Sequence, residues 1–203
     1  MSIHTYILAF DSSPLAQWKD LEAWELTQGA SHFIPQLFES LSKDDFRISE
    51  GIAIHTTAVI ENGSILKSPA IIGPKCFVAA GAYIRGGCWL EEDCILGPAV
   101  EVKSSFIFKG TKLAHFNFVG DSVLGQDVNL EAGSIIANYR NERVDKEIYV
   151  IRSGQRIHTG VTKFGALIGD HCRIGANAVI APGSLMLPKS ILGRLALLDQ
   201  ENA

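Results

Sequence analysis

The sequence lacks any apolar run of the roughly 18 residues that a membrane-spanning helix requires. Its first ten residues, Met1-Ser-Ile-His-Thr-Tyr-Ile-Leu-Ala-Phe10, hold neither a basic leader nor a long apolar stretch, so no secretory signal is expected. Cys76, Cys88, Cys94 and Cys172 form no C-x-x-C pair, which excludes a zinc ribbon and a thioredoxin-like motif. There is no excess of bases. Eighteen Lys and Arg stand against 22 Asp and Glu, for a formal net charge of −4, and general nucleic-acid binding is not expected. Aromatic residues are scarce, at 8%. Glycine is plentiful instead (19), and β-branched residues crowd the second half. The 203 residues, 47% hydrophobic, suffice for one substantial core or one domain with an appendage. Such a composition points to a regular chain with tight corners, and hence to repeats.

The repeat is six residues long. It reads Ile72-Gly-Pro-Lys-Cys76, Val78-Ala-Ala-Gly-Ala82, Ile84-Arg-Gly-Gly-Cys88, Leu90-Glu-Glu-Asp-Cys94 and Leu96-Gly-Pro-Ala-Val100. The first position is aliphatic and the fifth small. The phase slips by one near Ser104 and again near Ser122. It resumes at Leu124-Gly-Gln-Asp-Val128 and, after a break, at Ile168-Gly-Asp-His-Cys172. A period of six fits neither an amphipathic helix nor an alternating strand. It fits a parallel β-helix in which three hexads close one triangular coil and coils stack at strand spacing, about 4.8 Å. The pattern resembles the left-handed β-helix of the hexapeptide acyltransferase superfamily, and the handedness is carried by that resemblance. The fold class expected is an all-β solenoid with a short N-terminal helical cap.

Three segments follow. Residues 1–48 lack the repeat and are expected to cap the first coil. Ser13-Pro14 reads as a helix start, and Leu15, Trp18, Leu21, Trp24 and Leu26 share one helical face; His32 to Leu41 reads as a second helix. Residues 49–187 form the β-helix, with the charged stretch 139–150 extruded as a loop. Residues 188–203 leave the pattern as a C-terminal segment. All four cysteines sit at the small inward position. Cys76 and Cys94, 18 apart, stack close enough for a disulfide, yet in a cytosolic chain reduced thiols are expected.

Lys67, Arg85 and Lys103 are also 18 apart and therefore stack outward on one face. Like charges at strand spacing repel, so the row invites an anion such as a phosphate, unless the side chains splay into solvent. His115 follows shortly after. Imidazole is the side chain that ordinarily exchanges protons near neutral pH, although a single His is often only a surface residue. Glu101 breaks the apolar register of Ile65, Ile71, Phe77, Tyr83, Trp89 and Ile95. It either orients a histidine or is an edge charge. Asn129 lies at a corner, and Asn138-Tyr139 opens the extruded loop. His55, His115, His158 and His171 lack the spacing of a zinc-dependent carbonic anhydrase.

The ordered set Arg85-Gly-Gly, Glu101-Val-Lys103, Lys112-x-x-His115, Val119-Gly-Asp121, Val128-Asn-Leu-x-Ala-Gly133 and Asn138-Tyr139 is more specific. It resembles the C-terminal acetyltransferase domain of the bifunctional UDP-N-acetylglucosamine pyrophosphorylase/glucosamine-1-phosphate N-acetyltransferases, over about residues 70 to 185. The resemblance implies an acetyl-CoA-dependent N-acetyltransferase acting on a phosphorylated amino sugar, in the cytoplasm, with no metal required. It implies His115 as general base, Arg85 and Lys103 on the sugar phosphate, and Asn129, Asn138 and Tyr139 lining the sugar and acetyl sites; Glu101 joins His115 as a catalytic candidate on the register argument alone. Ala132, His158 and Ala176 would contact acetyl-CoA, in a homotrimer whose sites lie between subunits. The chain departs from that family in several places. Phe118 stands for a sugar-binding tyrosine and Arg140 for an aspartate. Val144 falls where a substrate-contacting lysine is expected, with Lys146 nearby. Arg194 alone represents the basic tail, and residues 1–48 are too short for the pyrophosphorylase. Two other readings stay open: an acyl-carrier-protein-dependent acyltransferase of the same fold, and a non-catalytic scaffold built on such an enzyme.

Overall fold

The computed structural model describes residues 3–201. From Ile52 to Leu198 the chain is a parallel β-solenoid with three faces. Face one carries Ile52–His55, Ala70–Ile72, Cys88–Leu90, Phe106–Ile107, Val123–Leu124, Ala166–Ile168 and Ser184–Met186. Face two runs from Val59–Ile60 to Ile191–Leu192, and face three from Ile65–Leu66 to Leu197–Leu198. Early coils return after 18 residues, so that Phe77 lies beside Ile95 and Tyr83 beside Glu101. The two phase slips are coils of 17, in which Glu101 pairs with Phe118 and Phe118 with Ile135. Asn129 then pairs with Arg173, 44 positions on, because an insertion leaves the coil and rejoins it.

The hexad explains the cross-section. Residues one and five both point inward, and Ile72, Cys76, Val78, Ala82, Ile84 and Cys88 are fully buried. Position four turns the corner between faces one and two in the left-handed region. Lys75, Asp93, Asp127 and His171 have φ of 54°, 59°, 52° and 61°, and Gly110 makes the same turn at 72° without the steric cost of a Cβ. The four cysteines are buried and free. Burial pushes the Cys88 thiol up to about 12 and the Cys94 thiol well above its usual range. Native protein will therefore leave all four thiols unreacted with a thiol-specific disulfide reagent at pH 8, and all four will titrate once it is unfolded. Fast labelling of the native protein would contradict this burial.

Only the last residues of the N-terminal segment cap the first coil; most of it does not. The rest lies lengthwise along face one. The outward column of that face is apolar throughout: Ala53, Ile71, Trp89, Phe106, Val123, Leu167 and Leu185. These side chains are buried in a second core with Ile7, Phe10, Leu15, Leu26 and Ile34. Each large side chain so covered contributes about 1.5–3 kcal/mol, which a plug at one end of the solenoid could not gather. The end itself is closed by Phe46–Ser49, paired antiparallel with Ile52–His55. The expected first helix is split. Ser13 Oγ accepts the Leu15 N–H at 3.1 Å and starts a 3₁₀ turn at Pro14–Trp18. Helix α1 (Ala23–Gln28) then begins afresh on a capping box of Glu22 and Glu25, and α2 (Ala30–Leu37) follows. Among the described residues no helix is long and apolar enough to cross a membrane.

Asp170 fastens this segment to the solenoid. Its buried carboxylate accepts the Leu8 N–H and the Gln126 N–H, each at 2.9 Å, while its own N–H donates to the Tyr6 carbonyl. Asp170→Ala leaves two backbone donors unmatched. It will cost about 2–4 kcal/mol in denaturant unfolding and expose residues before Ala23 to proteolysis.

Two boundaries differ from the expected ones. The expected C-terminal segment, residues 188–203, is not set apart over its described residues 188–201: Ile191–Leu192 and Leu197–Leu198 extend faces two and three in register. The extruded segment is longer than 139–150. It includes an antiparallel hairpin, Tyr149–Arg152 with Gln155–His158, and the coil resumes only at Ala166. Ile148, Val150, Val161 and Phe164 bury in the same layer as the N-terminal segment, so the insertion folds back on face one rather than standing in solvent.

Candidate functional site

Face three holds a cleft of about 370 Å³ lined by Arg85, Lys103, Phe118, Asn138, Tyr139 and Lys163. The expected cationic row exists. The Lys67 N–H donates to the Ile84 carbonyl and the Arg85 N–H to the Val102 carbonyl, both at 2.8 Å, one coil apart. It is not a bare row of like charges. Arg85 Nη1 donates to Glu101 Oε1 at 2.9 Å, and Lys103 Nζ donates to both Asp121 oxygens at 3.0 Å. Glu101 therefore engages Arg85 and not His115, because the coil register sets it one turn from Arg85 on the same face. With Lys163 the cleft carries three cations against two carboxylates, and the surplus charge favours an anionic ligand.

Asp121 organises this wall. Its side chain is 7% exposed, and besides Lys103 it accepts Asn138 Nδ2. Gly120 makes room for that contact. It stands in register with Lys103, and a Cβ there would come within 2.6 Å of Asn138 Nδ2. The insertion thus delivers Asn138 and Tyr139 at its start and Lys163 at its end to a single cleft.

A second arrangement lies at the corner between faces two and three. The N–H groups of Gly133, Asn177 and Leu195 donate to the carbonyls of His115, Ala132 and Ala176 at 2.9, 3.0 and 3.0 Å. His115, Ala132 and Ala176 therefore stack on three successive coils. Arg194 occupies the next coil and holds Glu131 through two contacts of 2.8 Å, while Glu131 also accepts the Ala176 N–H at 2.8 Å. Arg194, and then that N–H, hold the Glu131 carboxyl below its usual range. The His115 ring is exposed and makes no hydrogen bond with the described residues. Buried Asn117 connects corner and cleft. Its Nδ2 donates to the Glu131 carbonyl at 2.8 Å and to Ser134 Oγ at 2.9 Å, two residues after His115 and next to Phe118.

Other expected residues are placed apart. Asn129 is on face two between Lys112 and Arg173, a different face from Arg85. His158 lies on the hairpin of the insertion, where Nε2 meets Glu147 Oε2 at 2.9 Å, and not at the corner of Ala132 and Ala176. Lys146 is consumed by its own loop: it donates to the carbonyls of Arg140, Asn141 and Arg143 and lies over the Tyr139 ring. Val144 is fully exposed. Asp121 and Lys163 escaped assignment from sequence. Asp121 was visible only as part of Val-Gly-Asp, and Lys163 reaches the cleft because the insertion returns there.

No protein-family model matches the chain. A bifunctional sugar-1-phosphate nucleotidylyltransferase/acetyltransferase of Sulfurisphaera tokodaii is 40% identical over 141 residues, 70% of this chain and 35% of that protein. A bifunctional protein GlmU of Methanococcus vannielii is 32% identical over 191 residues, 91% of this chain and 45% of its own length. One of the same name from Heliobacterium modesticaldum is 33% identical over 159 residues, 75% of this chain and 30% of that protein. The chain spans less than half the length of these relatives. The chain is a homologue of the bifunctional GlmU proteins and matches their C-terminal acetyltransferase region over 91% of its own length.

Proposed function

We propose that the protein is an acetyl-CoA-dependent N-acetyltransferase whose acceptor is a phosphorylated amino sugar such as glucosamine-1-phosphate. The observation that carries this reading is the cleft of Arg85, Lys103 and Lys163 on one face, beside a corner that stacks His115 on Ala132 and Ala176. The cations anchor the phosphate and hold the amine in place. His115 takes a proton from the amine as its nitrogen attacks the thioester carbonyl. The new C–N bond forms, the C–S bond breaks, and coenzyme A leaves as a thiolate that collects the proton. Backbone N–H groups at the corner are suited to the transient oxyanion. Acetyl-CoA serves as co-substrate, and with free buried thiols the reaction belongs in the cytoplasm.

A homotrimer suits this reading. Arg85 and Asn129 lie on different faces of one chain, so a site using both closes only between two copies. Face one is covered, whereas Val59 and Ile191 on face two and Ile65 and Leu197 on face three remain more than half exposed. The test is coenzyme A release from acetyl-CoA with glucosamine-1-phosphate, together with the molar mass in solution. Turnover by a trimer is expected. No turnover with any amino-sugar phosphate, and no thermal stabilisation by coenzyme A, would replace the reading with the scaffold.

A further inference from the structure

Arg140 directly follows the two cleft residues Asn138 and Tyr139, but its side chain turns away from the cleft. It is 2% exposed. Its guanidinium is gripped by residues far along the chain. Nη2 donates to Asp199 Oδ1 at 2.8 Å and to the Pro182 carbonyl at 2.8 Å, and Nη1 donates to Asp199 Oδ2 at 2.9 Å. Asp199 sits immediately past Leu197–Leu198, the last strand of face three. Glu201 extends the grip by accepting Arg143 at 2.7 Å and Arg156 at 2.8 Å. The insertion is thus tied at its root to the last coil of the described solenoid, four coils beyond the Glu101–Lys103 strand that carries the cleft residue Lys103.

This arrangement has a geometric consequence. Asn138 is held on one side by Asp121, in the coil it has just left. On the other side its carbonyl accepts the Phe164 N–H at 3.1 Å and the Tyr139 carbonyl accepts the Asn141 N–H at 3.0 Å, while the Arg140 side chain is pinned by Asp199. Lys146 then closes the loop over the Tyr139 ring, and one of its three backbone acceptors is the Arg140 carbonyl, at 3.1 Å. Arg140 therefore joins the residue next to Tyr139 to a buried fork-to-fork pair, the contact that a planar guanidinium makes and an ammonium does not.

We propose that Arg140, locked by Asp199, is a positioning residue that sets Asn138 and Tyr139 in the cleft, so that a carboxylate near the C-terminus governs affinity for the phosphorylated sugar without touching it. The inference rests on the reading of the cleft as a sugar-phosphate site, so its test has an arm that needs no substrate. The variants are Asp199→Asn, Arg140→Lys and the exchanged pair Arg140→Asp with Asp199→Arg. The first readout is the ¹⁹F resonance of 3-fluorotyrosine placed at position 139. The second is steady-state kinetics with glucosamine-1-phosphate and acetyl-CoA.

Asp199→Asn, the mildest change, will shift or broaden the fluorine resonance. It will raise KM for the sugar phosphate about tenfold, with kcat and KM for acetyl-CoA altered by less than about twofold, as displacement of a positioning group predicts. Arg140→Lys will behave alike despite keeping its charge, and the exchanged pair will recover part of both signals. A lowered Tm with the resonance and the KM unmoved would make the pair a structural staple and overturn the proposal. If wild-type protein turns over no amino-sugar phosphate, the functional reading falls by itself. The fluorine signal then still decides whether Arg140 positions Tyr139, and an unmoved resonance overturns it.

Discussion

Replacing His115 with alanine will lower kcat for acetyl transfer by about 10²- to 10⁴-fold and leave Tm within about a degree of wild type. The two halves of this expectation have separate physical grounds. The ring is exposed and makes no hydrogen bond with the described residues, so folding loses nothing measurable when it is removed. Its carbonyl, which the Gly133 N–H uses, remains in the variant. The corner it occupies is set by the coil, with buried Asn117 two residues on, and not by the imidazole. Only the proton acceptor disappears. The measurement is initial velocity at saturating acetyl-CoA and glucosamine-1-phosphate, beside a thermal melt. A variant that keeps half the wild-type rate would remove His115 from the chemistry. One that unfolds early would show the ring to be structural instead.

Asp121→Ala carries the largest stability effect expected in the site. Lys103 and Asp121 are mostly buried, their side chains 20% and 7% exposed. Deleting the carboxylate strands the largely buried Lys103 ammonium beside Arg85 and Lys163 without its counter-charge and frees Asn138, at a cost of about 3–5 kcal/mol. For a chain of this size the corresponding drop in Tm is on the order of 10 °C. The companion variant Lys103→Met/Asp121→Leu removes both charges at once. It will recover much of the lost stability and bind no sugar phosphate, because an apolar pair satisfies packing while abolishing the anion's partner. Equal destabilisation in the single and double variants would mean that Asp121 matters through its contact with Asn138 and not through the charge of Lys103.

Both experiments bear on a cleft that sequence revealed in outline. The 18-residue spacing of Lys67, Arg85 and Lys103 identified a cationic column, and the register confirms that they stack. What spacing could not disclose is the counter-charge. Glu101 and Asp121 lie on neighbouring positions of the same stack, and whether they reach the cations depends on side-chain direction. Arg140 shows the same difficulty from the opposite direction. Read along the chain, an arginine after Asn-Tyr looks like a reversed charge in a substrate loop. In space it is buried and paired with a residue 59 positions away, and it meets no solvent. Lys146, close in sequence to the expected loop lysine, spends its donors on its own backbone, while Lys163 arrives at the cleft from the far end of the insertion.

The sequence by itself determined the solenoid. A six-residue period is a local rule: each hexad makes the same strand and corner whatever surrounds it, so coil length, inward residues and even the two single-residue slips were legible before any coordinates. It also located Arg85 and Lys103, because stacking turns a fixed spacing into a column, whereas His115 was legible only through the family resemblance. Only the tertiary structure decided what covers the solenoid and what completes the cleft. The apolar outer column of face one could have met water, a partner or the chain's own N-terminus, and burial of that column by residues 3–41 settled it. The insertion's return path, the counter-ions of the cationic row and the grip of Asp199 on Arg140 all join residues with no periodic relation. Their contacts follow from where two non-repeating segments pack, and no repeat rule encodes that.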